Sequence, residues 1–336
     1  MNEKMPVLSV RDLTVEYYTR DGWLRSLDNI TLDFEKGKVT ALIGESGCGK
    51  STIINAMMGV LAPNARLGKA SKVSYGELPL LEIPEEQRRK FRWQEASMVF
   101  QAAQNAMNPT LRIEEQLLDS IWDHDPGMTR DAANKKIVEL LEMVRLDPER
   151  VLRSYPHELS GGMRQRAIIA MAMVLDPKCI ILDEPTTALD MITQHFIFDI
   201  LTEIQEKRAM SMIIITHDIA LAAKLAHNMV VMYGGEVMEI APTEDLFDRP
   251  GHPYTKGLLE AIPFIDGEIV KKKPIRGSPP DLINKTASCI FHQRCRHAVI
   301  KCSEHKPLLE PFLDSGVGGN SSQRQVACWL KEELRK

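Results

Sequence analysis

Gly44-Glu45-Ser46-Gly47-Cys48-Gly49-Lys50-Ser51 lies between the apolar run Val39 to Ile43 and a helix-patterned stretch that begins near Lys50. It matches the phosphate-loop pattern, in the strand–loop–helix context that this pattern requires. Each residue type has a chemical reason. Glycines let successive backbone N–H groups close around phosphate oxygens, and bulk at Gly44 or Gly49 would block that wrap. The helix N-terminus adds the positive end of its dipole, Lys50 reaches the β and γ phosphates, and the Ser51 hydroxyl is placed to ligate Mg²⁺. Glu45, Ser46, Gly47, Cys48 and Thr52 complete the expected nucleotide cradle. Cys48 reads as a small neutral residue, although a thiolate stabilised by the loop would make the site thiol-sensitive.

Outward from this loop, Val39 to Gly44, Ala96 to Gln101, Cys179 to Glu184, Ser211 to Thr216 and Met229 to Tyr233 are short apolar runs bounded by turn or polar residues. Their alternation with helical patterns predicts a parallel sheet flanked by helices. Leu8 to Tyr18 and Ser26 to Phe34 alternate around Asp21-Gly22 and predict an antiparallel hairpin on its flank. Between the second and third runs, Ile137, Leu140, Leu141 and Val144 recur at helical spacing, which predicts a helical insertion over about 102–175. The run Cys179 to Asp183-Glu184 ends in two carboxylates: Asp183 to hold Mg²⁺, and Glu184 to orient the attacking water and accept its proton. A strand that merely ends in an Asp-Glu turn is the competing reading.

The whole chain has 336 residues, with 42 Lys plus Arg against 46 Asp plus Glu, a net charge of −4, and 44% hydrophobic residues. This is a folded composition without a global electrostatic drive toward nucleic acid or an anionic bilayer. The longest nearly continuous apolar run, Ala167 to Leu175, is short of the roughly 20 residues that span a membrane, and Met1 to Val10 has no secretory apolar region. A cytosolic protein follows, whose six cysteines should not form structural disulfides. After about residue 250 the texture changes to turn-rich sequence, so the division is 1–250 and 251–336. Lys271-Lys272-Lys273 reads as a solvated surface and Ser315 to Gln323 as a loop.

Leu159-Ser160-Gly161-Gly162-Met163-Arg164-Gln165-Arg166 resembles the signature motif of ATP-binding cassette (ABC) ATPases, and it lies where that family requires, between the phosphate loop and the Asp183-Glu184 strand. Gln101 resembles the Q-loop glutamine, Ala188-Leu189-Asp190 the D-loop, and His217 the switch histidine. The resemblance implies an α/β phosphate-loop nucleotide-binding domain with a mixed sheet core, an antiparallel β flank and a helical subdomain, followed by a small irregular C-terminal extension. It also implies ATP and Mg²⁺ as cofactors, the latter held by Ser51, Gln101 and Asp183, with Glu184, Gln101, His217 and Asp190 in catalytic roles. Two such domains would close head to tail, so that Ser160, Gly161, Gly162 and Gln165 act in trans. An aromatic that stacks on adenine is expected; Tyr17 fits the register, with Tyr18 and Trp23 as rivals and hairpin packing as the plain alternative.

Tyr155-Pro156-His157-Glu158, Gly251-His252-Pro253-Tyr254, Gly277-Ser278-Pro279-Pro280-Asp281-Leu282 and Cys289-x-Phe291-x-x-Arg294-Cys295 are similar to the peptide and nickel branch of ABC importers. That likeness implies an ATPase on the cytoplasmic side of the membrane that energises di- or oligopeptide import. Its partners would be a second ATPase, by preference a homologous sister chain, two membrane permease subunits and, indirectly, an extracytoplasmic solute-binding protein; no nucleic acid is expected. The alternatives are nickel or another small solute, and a soluble ABC ATPase acting on nucleic acid or ribosomes. By the same analogy Cys289, Cys295, Cys302 and Cys328 would ligate a 4Fe–4S cluster, with Zn²⁺ or no metal as alternatives; their spacing lacks the close pairs of structural zinc sites.

Overall fold

A computed structural model of the chain describes residues 5–262, 275–312 and 324–331. The lysine triplet at 271–273 and the Ser315 to Gln323 stretch lie outside the described residues. The strands are β1 (Leu8–Thr19), β2 (Gly22–Phe34), β3 (Val39–Ile43), β4 (Ala65–Leu67), β5 (Lys72–Tyr75), β6 (Leu78–Pro79), β7 (Ala96–Val99), β8 (Cys179–Asp183), β9 (Ser211–Ile215), β10 (Asn228–Tyr233), β11 (Glu236–Pro242), β12 (Glu310–Pro311) and β13 (Gln325–Val326). The α-helices are α1 (Lys50–Met58), α2 (Glu85–Gln94), α3 (Ile113–Trp122), α4 (Arg130–Met143), α5 (Pro148–Arg153), α6 (Gly161–Ala172), α7 (Met191–Arg208), α8 (Ile219–Leu225), α9 (Thr243–Asp248), α10 (Pro253–Ala261) and α11 (Ile300–Glu304).

Two units contain these elements. One comprises the stretch through Val7, Glu35–Val39 and Glu82–Thr216; the other comprises Leu8–Phe34, Thr40–Leu81 and the chain from His217 onward. In the first unit β7, β8 and β9 run parallel, with Val99 opposite Leu182 and Asp183 opposite Ile215. Strands β8 and β9 are buried throughout, the pattern of parallel strands covered on both faces. Between β7 and β8 the chain forms α3 to α6, with Ile137, Leu140, Leu141 and Val144 all buried.

In the second unit β1 and β2 form the expected antiparallel hairpin, but it is longer than predicted: Thr19 pairs with Gly22 across an Arg20-Asp21 turn. Strands β4 and β5 add to β1, and β6 adds to β5. A second group of strands in this unit is mixed: β10 runs parallel to β3, and β11, β13 and β12 continue antiparallel. Strand β11 is reached through Gly234 and Gly235, both at positive φ (56° and 80°), with Tyr233 paired to Glu236. Two consecutive left-handed residues are the geometry of a two-residue hairpin whose twist matches its strands.

Candidate functional site: phosphate loop and carboxylate strand

The phosphate loop leaves β3, whose residues are all buried, and enters α1 through Gly49 in the left-handed region. A Cβ at Gly44 (φ 147°) would stand 2.2 Å from the Met232 carbonyl oxygen, and one at Gly49 (φ 102°) 2.6 Å from Leu27 Cδ2 and 2.8 Å from the Ser26 carbonyl oxygen. Glycine is therefore required here by neighbouring protein as well as by an approaching phosphate. Ser46 and Gly47 form the exposed tip. Lys50 is buried, and its Nζ donates to the carbonyl oxygens of Gly44 (2.8 Å) and Glu45 (3.0 Å). Ser51 opens α1, and Thr52 Oγ1 lies 3.0 Å from Ser26 Oγ. Burial raises the Cys48 thiol pKa more than neighbouring Lys50 lowers it, which favours the neutral thiol over the thiolate.

Glu45 does more than the sequence reading assigned to it. Its N–H donates to the Tyr254 hydroxyl (3.0 Å), and its carboxylate accepts from Arg294 (2.8 Å), which also donates to the Tyr233 hydroxyl (3.1 Å). Burial works against the Arg294 charge, but the bonds to Glu45 and Tyr233 outweigh it and raise the guanidinium pKa. In the sequence Tyr254 and Arg294 are only marks of a motif. The signal in the sequence was an aromatic and a cation within otherwise turn-rich sequence. Glu239, wholly buried on β11, was also missed: it accepts from the N–H groups of Gly251 (2.8 Å) and His252 (2.9 Å), and so fixes the Gly251-His252-Pro253-Tyr254 turn.

In the first unit, Asp183 ends β8 and is buried, and Glu184 follows at φ 49° with its N–H donated to the Ile215 carbonyl oxygen (2.9 Å). The Glu184 carboxylate accepts from Gln101 Nε2 (3.0 Å) and Thr187 Oγ1 (2.8 Å), so two of the residues expected to act together do meet. Ala102 (φ 55°) next to Gln101, Glu184 at the end of β8 and Ala188 (φ 65°) two residues before Asp190 are non-glycine residues in the left-handed region. Such conformations cost of order 1 to 3 kcal/mol each and concentrate at functional loops. Asp190 caps α7, accepting from the Thr193 N–H (2.9 Å) and hydroxyl (2.7 Å); these bonds lower its pKa. Ser160 is exposed and caps α6 by accepting from the Met163 N–H (3.3 Å), with Gly161 and Gly162 half-buried in the first turn. Gln165 is buried, unlike the three signature residues before it.

In the second unit, His217 is exposed in the bend after β9, next to Asp218, which caps α8. Tyr17 is half-buried on β1, between Leu24 on β2 and Ala65 on β4. Tyr18 and Trp23 pack on each other (ring centroids 5.3 Å apart), and Arg66 lies 3.7 Å over the Trp23 ring.

The four cysteines of the extension share one neighbourhood: the Cys289 N–H donates to the Cys302 carbonyl oxygen (2.9 Å), and burial together with the other three thiols pushes the Cys289 thiol up to about 12. Burial pushes Cys328 up to about 11 and raises Cys295. Yet among the described residues no group of three or more His, Cys, Asp or Glu is placed to hold a metal ion. The expectation that Cys289, Cys295, Cys302 and Cys328 form a 4Fe–4S ligand shell is corrected to that extent: the donors are of the right kind and near one another, but they are not gathered into a shell, and burial favours the neutral thiols at Cys289, Cys295 and Cys328. Among the described residues no helix is long and apolar enough to cross a membrane.

Residues 27–187 match the family model described as ABC transporter, and residues 238–302 the one described as oligopeptide/dipeptide transporter, C-terminal region. The chain is 43% identical to the dipeptide transport ATP-binding protein of Caldanaerobacter subterraneus subsp. tengcongensis, over 98% of each chain. This chain belongs to the ATP-binding proteins of ABC transporters. Another ABC relative, the oligopeptide transport ATP-binding protein of Escherichia coli, is 39% identical over 90% of each chain. A dimeric bacterial ABC transporter cassette is similar in structure, with a TM-score of 0.62 and 27% identity over 70% of this chain and 98% of that one; the same cassette is also known in a post-hydrolysis state bound to ADP and Pi. The expected ABC cassette fold is thereby established, and with it an ABC ATPase.

Proposed function

We propose that this ABC protein is the ATP-hydrolysing subunit of an importer of di- or oligopeptides, attached peripherally to the cytoplasmic side of the membrane through two permease subunits and served by an extracytoplasmic solute-binding protein. The observation that carries it is the intact phosphate loop, with Lys50 buried at its centre, in a chain alike over nearly its whole length to a dipeptide transport ATP-binding protein. The proposed roles are phosphate binding by the N–H groups of the loop and by Lys50, Mg²⁺ ligation by Ser51, Gln101 and Asp183, and γ-phosphate contact by His217. Glu184 takes the proton of the attacking water; its bonds to Gln101 and Thr187 support this by fixing the carboxylate's direction. A second ATPase subunit, preferably a sister chain, would offer its own signature serine and glycines, as Ser160, Gly161 and Gly162 of this chain would do for it. Residues 251–336 are proposed as an accessory extension to the 1–250 cassette. The finer cofactor proposal is a 4Fe–4S cluster on the four C-terminal cysteines, with Zn²⁺ or no metal as alternatives; no step of hydrolysis is assigned to it.

The test is Glu184→Gln in the assembled transporter. ATP binding is expected to persist while steady-state turnover falls by about a hundredfold or more, and ATP-driven dipeptide uptake falls with it. Turnover near wild type would remove Glu184 from the base role. Uptake of nickel but not of peptides by the wild-type assembly would replace the cargo.

A further inference from the structure

We propose that Arg294 and Tyr254 are positioning residues for ATP binding, holding the phosphate loop through Glu45 from the cysteine-bearing C-terminal segment. The inference rests on the nucleotide reading of that loop and adds a control of it. Glu45 has three handles, each engaged by a different side chain. Its N–H goes to Tyr254 (3.0 Å), its carboxylate to Arg294 (2.8 Å), and its carbonyl oxygen accepts from Lys50 Nζ (3.0 Å), the group assigned to the β and γ phosphates. A shift of Glu45 therefore moves an acceptor of the Lys50 ammonium.

The two outer handles are built firmly. Arg294 is only 8% exposed in its side chain; its Nε donates to the Arg276 carbonyl oxygen (2.8 Å), and its guanidinium lies 5.4 Å over the Tyr233 ring. A charge-assisted bond from a shielded guanidinium is among the stronger tethers a protein can make. Tyr233, Tyr254 and Phe291 pack as a triangle with ring centroids 4.8 to 5.2 Å apart. The N–H groups of Arg294 and Cys295 both donate to the Phe291 carbonyl oxygen (3.0 Å each), so the aromatic anchor, the cation and a cysteine ride on one turn. Gly277, at φ 83°, lets that turn approach: a Cβ there would stand 3.3 Å from Arg294 Cγ.

The experiment measures ATP-dependent hydrolysis and ATP binding by calorimetry on the full chain carrying Arg294→Met, Glu45→Gln, both together, Arg294→Lys or Tyr254→Phe. Each of the Met, Gln and Phe variants is expected to raise KM and Kd for ATP about three- to tenfold, with a much smaller change in kcat. The double variant should be no worse than either single one, as two ends of one interaction require, and Lys at 294 should restore part of the loss. Lys306→Met, which breaks ion pairs of the same segment to Asp28 and Glu236, serves as the structural control: it should lower Tm without moving KM. Unchanged KM in Arg294→Met, additive singles, or an equal rise in KM in Lys306→Met would overturn the inference. If Arg294→Met does not fold, the partly exposed Glu45→Gln decides by the same KM criterion. Lys50→Ala separates the two levels: retained ATP binding there sinks the nucleotide reading, whereas lost binding there with wild-type KM in Arg294→Met sinks only the positioning role.

Discussion

His252 is a buried imidazole whose Nδ1 accepts the Tyr254 N–H (3.0 Å) at the start of α10, and burial pushes its pKa down to about 3. In the unfolded chain the same group titrates near 6.5. Between those values the unfolded state binds a proton that the folded state refuses. Stability is thus whole above about pH 6.5 and falls on acidification, by at most about 1.4 kcal/mol per pH unit for this one group. Glu239 alongside, its pKa raised by burial, acts in the opposite sense in a window that opens upward from the ordinary glutamate value and so overlaps that of His252. His252→Asn keeps an acceptor for the cap and removes the titration, so the difference from wild type cancels the Glu239 part. Urea melts between pH 7 and pH 5 should show a shallower loss of stability in the variant; parallel loss would mean that the imidazole charges without cost. At this scale the sequence was legible for placement: Lys50 and Ser51 at the start of a helix, and Asp183 and Glu184 at the end of a strand, announce themselves by type and spacing. It was not legible at Glu45, Arg294, Tyr254 or Glu239, whose roles come from partners more than 100 residues away, or from a turn that the chain forms only once β11 is in place.

Helices α6 and α7 meet at Gly162 and Thr193, where a Cβ on Gly162 would stand 2.5 Å from Thr193 Cγ2. Thr193 cannot swing away freely, because its hydroxyl and N–H are both bonded to Asp190. The second signature glycine thus has a packing role within its own chain. Gly162→Ala should destabilise by about 1 to 3 kcal/mol, the usual range for overpacking, in spite of alanine's better helix propensity. Thr193→Ser deletes the opposing methyl while keeping the hydroxyl, and in the double variant it should recover most of the loss in a thermal melt. A Gly162→Ala protein as stable as wild type would leave the glycine without this packing role. Among the elements, β3, β7, β8, β9 and β10 were readable because buried parallel strands are continuous apolar runs. Strand β11 escaped since Glu239 interrupts its apolar pattern, although the Gly234-Gly235 pair was a hairpin signal in plain view. Strands β4 and β6 have three and two residues, half-buried or exposed, too little pattern for any periodicity to register.

The C-terminal cysteines belong to the scale of the whole chain, because only the return of its last described segment brings them together. Strand β13 pairs with β11 and β12, and three residues later the Trp329 indole N–H donates to the His305 carbonyl oxygen (3.1 Å), with Lys301 lying 3.6 Å over the ring. This carries Cys328 to the segment that holds Cys302, while the 289–295 turn brings Cys289 and Cys295 from the other side. Four sulfur donors in one neighbourhood suit soft metals and iron–sulfur clusters, which need thiolates. Thiols that burial keeps protonated would have to lose their protons and converge on binding, so loading should depend on pH and should tighten this part of the fold. Under the cluster proposal, protein purified without oxygen would hold about four irons and four acid-labile sulfides per chain, absorb in the visible, and lose both when the four cysteines become serine. About one zinc per chain and no sulfide would turn the neighbourhood into a structural zinc site. A chain free of both metals, with a melting temperature that added iron and sulfide do not raise, would make the cysteines packing residues. Any of these outcomes leaves Lys50, Glu184 and the ABC assignment standing, because the loop and the carboxylate strand contain none of the four thiols.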